Sequence, residues 1–333
     1  MRVSKTGDEC KISTLRPKNL GIRHSATPLL FSQSCFIISS MKWLVITSDE
    51  DKEANLLKSI DKIFSNSAIY FFNPNSFDCS MALEIMPSID CCAILEKVET
   101  SFILFALGWL VGRNIQTFSL QEKPYSLACA SDSFHTFADS ASLNSYLIKN
   151  RLEIICNVNK RKSCLYLFKK GMPLTVAGFV HYIEKENIDI LNRYMYAGLS
   201  LNSRDEDGTP LLNIACRNRS FAVVEWFLKN GADIDPVSED RGYTPLMDAV
   251  WKGDLKISSL LIQKGADVNR MNKEGQTMII LAVGANRVDM CKLLVENGAD
   301  VDVVDAMGMS AYGYARLFKK HNILEVLEKY HKS

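Results

Sequence analysis

Four carboxylates stand where chemistry could use them. Asp49 and Asp51 lie in "ITSDED", directly after an apolar run that reads as a strand, and Glu96 and Glu99 lie in "ILEKVETS", directly after another. Open α/β sheets bind ligands beyond the carboxyl ends of their strands. A carboxylate placed there can act as general acid, general base or nucleophile. Glu96 and Glu99 are the catalytic candidates, yet acidic loop residues are ordinarily solvated, and the balance leans away from an enzyme. Metal chemistry finds no support: the five histidines are scattered, and the ten cysteines contain no CxxC pair. No GxGxxG follows the first strand and no Walker A loop occurs, so no cofactor is implied. Cys91 and Cys92, in "DCCAIL", read as small buried hydrophobes in a reduced protein.

The elements that would position those carboxylates alternate in type. Strands are expected at 42–47, 68–72, 91–96 and 115–120, with "SLACA" at 126–130 as a fifth. Between them lie helical patterns: 49–64, with Ala54, Leu57, Ile60 and Phe64 on one face, a short helix over 80–86, and a helix from Thr100 to Asn114. A further helix at 139–150 closes the series. Such alternation predicts a parallel, doubly wound, flavodoxin-like sheet over 41–150. The apolar part of the 100–114 segment, Phe102 to Val111, would be only about 15 Å long as a helix. That is half of a hydrocarbon core of about 30 Å, so it reads as a buried helix and no membrane partner is expected.

The strand order, together with Gly108 and Gly112 in "FALGWLVGRNIQTF", resembles the nucleoside deoxyribosyltransferase group and, more distantly, TIR-type domains, over residues 41–120. The resemblance implies a small nucleotide-like ligand and, in an active member, a glutamate nucleophile on that helix. The nucleophile's place falls here on Ala106, which has no such chemistry. An enzyme that processes N-glycosides remains the alternative function.

The second half repeats. First glycines at 198, 231, 265 and 298 are spaced 33, 34 and 33, and closing glycines at 208, 242, 275 and 308 are spaced 34, 33 and 33. One extra residue therefore lies between Gly231 and Gly242. Helix openings follow each closing glycine: "TPLLNIAC", "YTPLMDAV", "QTMIILAV" and "MSAYGYAR". Thr244 is placed to cap a helix with Pro245 in its first turn. Gly253 and Asn286 suit a left-handed break between paired helices. Second helices such as "VVEWFLKNG" end on glycine.

These residues resemble the ankyrin repeat, over 173–333 in about five units including caps, and imply an α-helical solenoid whose partner is another protein. The concave face would carry Arg217, Asn218, Arg241, Tyr243, Trp251, Lys252, Met271, Asn272 and Gln276 as partner-binding residues. Trp, Tyr and Arg dominate interface energies. A linking helix is expected over 151–172, and 1–40 reads as a disordered extension. Hydrophobic residues make up 47% of the chain and charged residues 23%, with a formal net charge of +1. That balance gives no global pull toward nucleic acid and fits a cytoplasmic protein.

Overall fold

A computed structural model describes residues 41–47, 54–64, 67–72, 86–95, 106, 109–110, 112–120 and 134–331. The extension 1–40, residues 80–85 of the helix expected over 80–86, and the strand expected at 126–130 lie outside them. The chain divides into a unit ending at Lys162 and a second beginning at Ser163.

The first unit is a five-stranded sheet: β1 (Lys42–Ile46), β2 (Ala68–Phe72), β3 (Cys91–Ile94), β4 (Gln116–Ser119) and β5 (Phe134–Thr136). All neighbours are parallel and the order is β2-β1-β3-β4-β5, that of flavodoxin-like sheets. Among the described residues the fifth strand is formed by "FHT". Alternate residues leave the sheet on opposite sides. Trp43, Val45, Cys91, Ala93 and Phe118 join the core under α1 (Ala54–Ile63) and α2 (Ser140–Lys149). Leu44, Ile46, Cys92 and Ile94 pack with Leu110 and Ile115 on the other side. The neighbouring cysteines thus belong to opposite cores, and burial pushes both thiols up, Cys91 with a further push from the Asp90 carboxylate. The rings of Trp43 and Phe118 stack at 5.7 Å. Asp139 opens α2 with a capping box: its carboxylate accepts from Ser142 N at 2.7 Å.

Helix α3 (Arg151–Lys169) is continuous, ending three residues before the expected bound. Within the first unit it is tied to the start of β3. Asp90 is buried there and receives Lys162 Nζ at 2.7 Å, Arg161 Nη2 at 3.3 Å and the backbone N–H of Lys42 at 3.0 Å.

The second unit holds five helix pairs: α4 (Val176–Glu184) with α5 (Ile188–Ala197), α6 (Leu211–Arg217) with α7 (Phe221–Lys229), α8 (Pro245–Lys252) with α9 (Leu255–Gln263), α10 (Met278–Gly284) with α11 (Val288–Glu296), and α12 (Ala311–Leu317) with α13 (His321–Leu327). The first helix of a pair is flanked by its counterparts in neighbouring repeats and its own partner. Hence Pro245 to Val250 and Met278 to Val283 are buried without a polar face. The second helices are amphipathic; α9 buries Ile257, Ser258 and Leu261 and leaves Lys256 outside.

Thr244 accepts from Met247 N at 3.3 Å and Pro245 follows in the first turn, as its sequence requires. The earlier "TPL" is out of register with it. There Pro210, not Thr209, is the residue before the helix, and it offers no cap. Gly253 takes φ 71° at the break between paired helices and Asn286 takes φ 56°. The same left-handed place is filled by Glu186, Arg219 and Lys319, at φ 52° to 60°, where side chains make the conformation costly.

Candidate functional site

Hairpin turns between the repeats form one margin of the array, and each is built on one side chain. Asp205 Oδ1 accepts from Asp207 N and Thr209 N, Asn272 Oδ1 from Glu274 N and Gln276 N, and Asp305 Oδ1 from Met307 N and Met309 N, all between 2.7 and 3.1 Å. In each, the glycine three residues on donates back to the carbonyl of that residue. The turn carrying the extra residue differs. Ser238 takes the anchoring role, accepting from Tyr243 N at 3.1 Å, and Gly242 N reaches back four residues to Ser238 O at 3.0 Å. The wider turn includes Asp240 and Arg241.

A second set of bonds runs between repeats. Asn202 Oδ1, Asp235 Oδ2 and Asn269 Oδ1 accept from the backbone N–H groups of Asp233, Asp267 and Asp300 of the following repeat, at 2.9 to 3.1 Å. Neighbouring turns are thereby held in fixed order.

The enlarged turn feeds a charge cluster. Asp248, in buried helix α8, is 1% exposed. Its carboxylate accepts from Asn213 Nδ2 at 2.8 Å, Arg217 Nε at 3.0 Å and Arg241 Nη2 at 3.3 Å. Arg217 also pairs with Asp240 at 3.1 Å, and the guanidinium of Arg241 lies 4.5 Å over the ring of Tyr243. Burial pushes the Asp248 carboxyl up, against the opposing pull of Arg217, Asn213 and Arg241. Asp240 moves the other way: despite some desolvation, hydrogen bonds from Ser238, Arg217 and the Arg241 backbone and the charge of Arg217 hold it well below the usual carboxylate range. Two carboxylates and two guanidiniums close on one another. The cluster orients Arg217 and Arg241.

Around it the expected partner-binding residues separate into two kinds. Trp251 is 46% exposed and Met271 50%, and Asn218 and Lys252 are also exposed. Gln276 is half-buried, and Arg217 and Arg241 are partly open while bound in the cluster. Tyr243 and Asn272, by contrast, are 6% and 7% exposed. Tyr243 lies in the core beneath Arg241, and Asn272 spends its amide on its own turn, also donating to Gln276 Oε1 at 3.1 Å. These two side chains are taken up inside the repeats and do not stand on the surface. Residues missed from sequence flank the exposed ones. Val237 and Val304 hold the place of Met271 in neighbouring turns, and Leu317 and Phe318 hold the places of Trp251 and Lys252 in the last repeat; all four are exposed. The repeat spacing was the signal that could have found them.

In the sheet unit, Asp49, Asp51, Glu96 and Glu99 lie outside the described residues. Ala106 is helical and buried, packed with Met86 and Trp109. Among the described residues, no group of three or more His, Cys, Asp or Glu could hold a metal, and no helix is long and apolar enough to cross a membrane.

Two family models match the second unit: ankyrin repeats (3 copies) over residues 179–272 and ankyrin repeats (many copies) over 261–315. The chain is similar to an ankyrin repeat-containing protein of Treponema pallidum (strain Nichols), 36% identical over 159 residues, which is 48% of this chain and 53% of that protein. It is also similar to an ankyrin repeat protein of Acanthamoeba polyphaga mimivirus, 28% identical over 105 residues, 32% of this chain and 14% of that one. A third relative is the palmitoyltransferase ZDHHC13 of Homo sapiens, 34% identical over 86 residues, 26% of this chain and 14% of the transferase. The matches thus span about half the length of the first relative and a small part of the other two.

Proposed function

Residues 179–315 are ankyrin repeats, and on that premise we propose that the array docks a segment of another protein across its hairpin turns and first helices. The observation that carries the reading is Trp251. It is 46% exposed at the end of a helix whose preceding six residues, Pro245 to Val250, are all buried. A large aromatic left open beside a sealed core is the kind of group that anchors interfaces. Met271 adds a pliable apolar contact, and Arg241, held by Asp248 and Tyr243, presents a guanidinium whose position is fixed before a partner arrives. Arg217, Asn218, Lys252 and Gln276 supply polar contacts at the margin. Tyr243 and Asn272 act from inside, by holding Arg241 and the turn.

The test replaces Trp251 by the photo-crosslinking residue p-benzoylphenylalanine in the full chain. Crosslinks to a defined segment of one protein, lost on adding Met271→Asp, are expected. A yield no higher than that from the same probe at Lys229, on a second helix, would sink the reading.

The sheet unit we read as a scaffold without catalysis. The support is Ala106, a methyl group packed in the core at the place where N-glycoside chemistry would need a carboxylate. Incubation of the full chain with nucleosides or nicotinamide dinucleotide is expected to release no base. Release that Glu96→Gln or Glu99→Gln abolishes would restore the enzyme.

A further inference from the structure

The turns that join the first helix of each pair to the second form another margin of the array, and side chains link them from repeat to repeat. Arg219 Nε pairs with Asp254 at 3.1 Å in the next turn. The Arg287 guanidinium occupies the space a Cβ on Gly253 would enter. Lys320 Nζ donates to the carbonyls of Val283 and Gly284, the latter at 3.1 Å. Four successive turns therefore form one continuous row.

Charge on that row is unbalanced. Asp254 is taken by Arg219, and the nearby Asp289 faces Lys292 at 3.9 Å. Glu186 belongs to the first turn, at the other end of the array. Lys252, Arg287, Arg316 and Lys319 are all exposed in the last three turns, and none forms an ion pair among the described residues. The same three turns carry apolar surface. Trp251 stands at one end, and Leu317 and Phe318, 61% and 56% exposed, stand at the other. Between them, at the equivalent place in the middle repeat, are Gly284 and Ala285, and a Cβ on Gly284 would meet nothing within 4 Å. The result is a low floor between two apolar walls, ringed by four free cations.

Helices pack at about 8–10 Å, so the three turns span about 20 Å. That is the length of about six extended residues at roughly 3.3 Å each. A flat bilayer would rest on the walls, whereas a peptide side chain can descend to the floor. We propose that this margin of the last three repeats holds a short acidic segment of a partner protein, with one bulky apolar side chain seated over Gly284 and its carboxylates against Lys252, Arg287, Arg316 and Lys319. The proposal rests on the reading of the array as a protein-docking surface and adds the chemistry of what docks. Screening by salt follows from it, because exposed charges lose their attraction beyond a Debye length of about 10 Å at 0.1 M.

The experiment pans the full chain against a phage-displayed library of random dodecapeptides and measures the recovered peptides by fluorescence anisotropy. The expected peptides are acidic and contain Leu, Phe or Trp. Their Kd should rise at least tenfold in Lys252→Glu/Lys319→Glu and in Gly284→Leu, with circular dichroism unchanged, and stay within twofold in Lys229→Glu, a charge reversal on a second helix. Recovery of no peptide at all would overturn the docking reading and this proposal with it. Neutral or basic peptides, or acidic ones indifferent to the charge reversals, would overturn the proposal and leave the docking reading standing. Phosphatidylserine vesicles are tested in parallel. Vesicle binding that the charge reversals abolish, with no acidic peptide recovered, would assign the margin to an anionic lipid surface and overturn the proposal.

Discussion

Two buried carboxylates, Asp90 in the sheet unit and Asp248 in the array, each meet two cationic side chains, yet they do different work. The partners of Asp90 are Arg161 and Lys162, 71 and 72 residues away. That cluster ties the start of a strand to a distant helix. The partners of Asp248 lie 7, 31 and 35 residues away, within its own repeat or the one before it. A sheet with crossovers must close over long loops, so its ties are long-range. A solenoid has contacts only between neighbours, and its ties serve one interface at a time. The same chemistry thus fastens a whole unit in one place and a single repeat boundary in the other.

Breaking each tie should expose that contrast. Asp248→Ala leaves two guanidiniums and the Asn213 amide facing a cavity, and should cost about 4 kcal/mol, since removing one partner of a buried ion pair strands the other. Hydrogen exchange should rise mainly in α6 and α8, with α12 and α13 little changed; uniform loss of protection through all five pairs would refute nearest-neighbour coupling. Asp90→Ala should cost about 3 kcal/mol, at the low end because Lys162 stays partly in water. Here the fluorescence of buried Trp43 and the exchange of β1 and β3 should change together. Unfolding confined to α3 would break the comparison.

Smaller effects sharpen it. Lys319→Gly relieves a left-handed residue and should stabilise the array by about 1 kcal/mol, while Gly253→Ala at the equivalent turn should lose about as much. Thermal melts decide the sign. The smallest effect is on pH. Asp240 is held down in the folded protein, so its contribution is present above the ordinary carboxylate pKa of about 4 and fades as pH falls below it. Asp248 is pushed up, so its titration runs oppositely: what it contributes is present at low pH and lost as pH rises through its folded value. Asp240→Asn should flatten the acid limb of a stability–pH profile and Asp248→Asn should steepen it. Matching slopes would show that the two do not titrate as a set.

The repeat phase was legible because it depends on backbone conformation. Gly208, Gly242, Gly275 and Gly308 all adopt positive φ, where other residues are strained, so their spacing survives in the sequence. The extra residue before Gly242 was legible for the same reason. What it does was not, because the widened Ser238 turn acts through Arg217, which comes from an earlier repeat. The burial of Tyr243 and Asn272 was not legible, because a tyrosine or asparagine in a turn can face either way and only neighbouring packing decides. Arg219, Glu186 and Lys319 were not read as turn residues because nothing in their chemistry favours a left-handed backbone; the fold imposes it. In the sheet, the first four strands were legible from apolar runs. The fifth, with its partly open "FHT", was not, since an edge strand takes its partner from β4 rather than from its own pattern.

By itself, then, the sequence determined the properties that each residue expresses locally: the alternation of strand and helix, the 33-residue period, the helix cap at Thr244 and the apolar run at 102–111, too short for a bilayer. Only the tertiary structure decided which carboxylates became buried ties, which turn residues turned inward, and that four cations and three large apolar side chains from three repeats line one margin. The physical reason is that the first set follows from short-range backbone and solvation preferences, whereas the second depends on side chains brought together from positions about 33 residues apart.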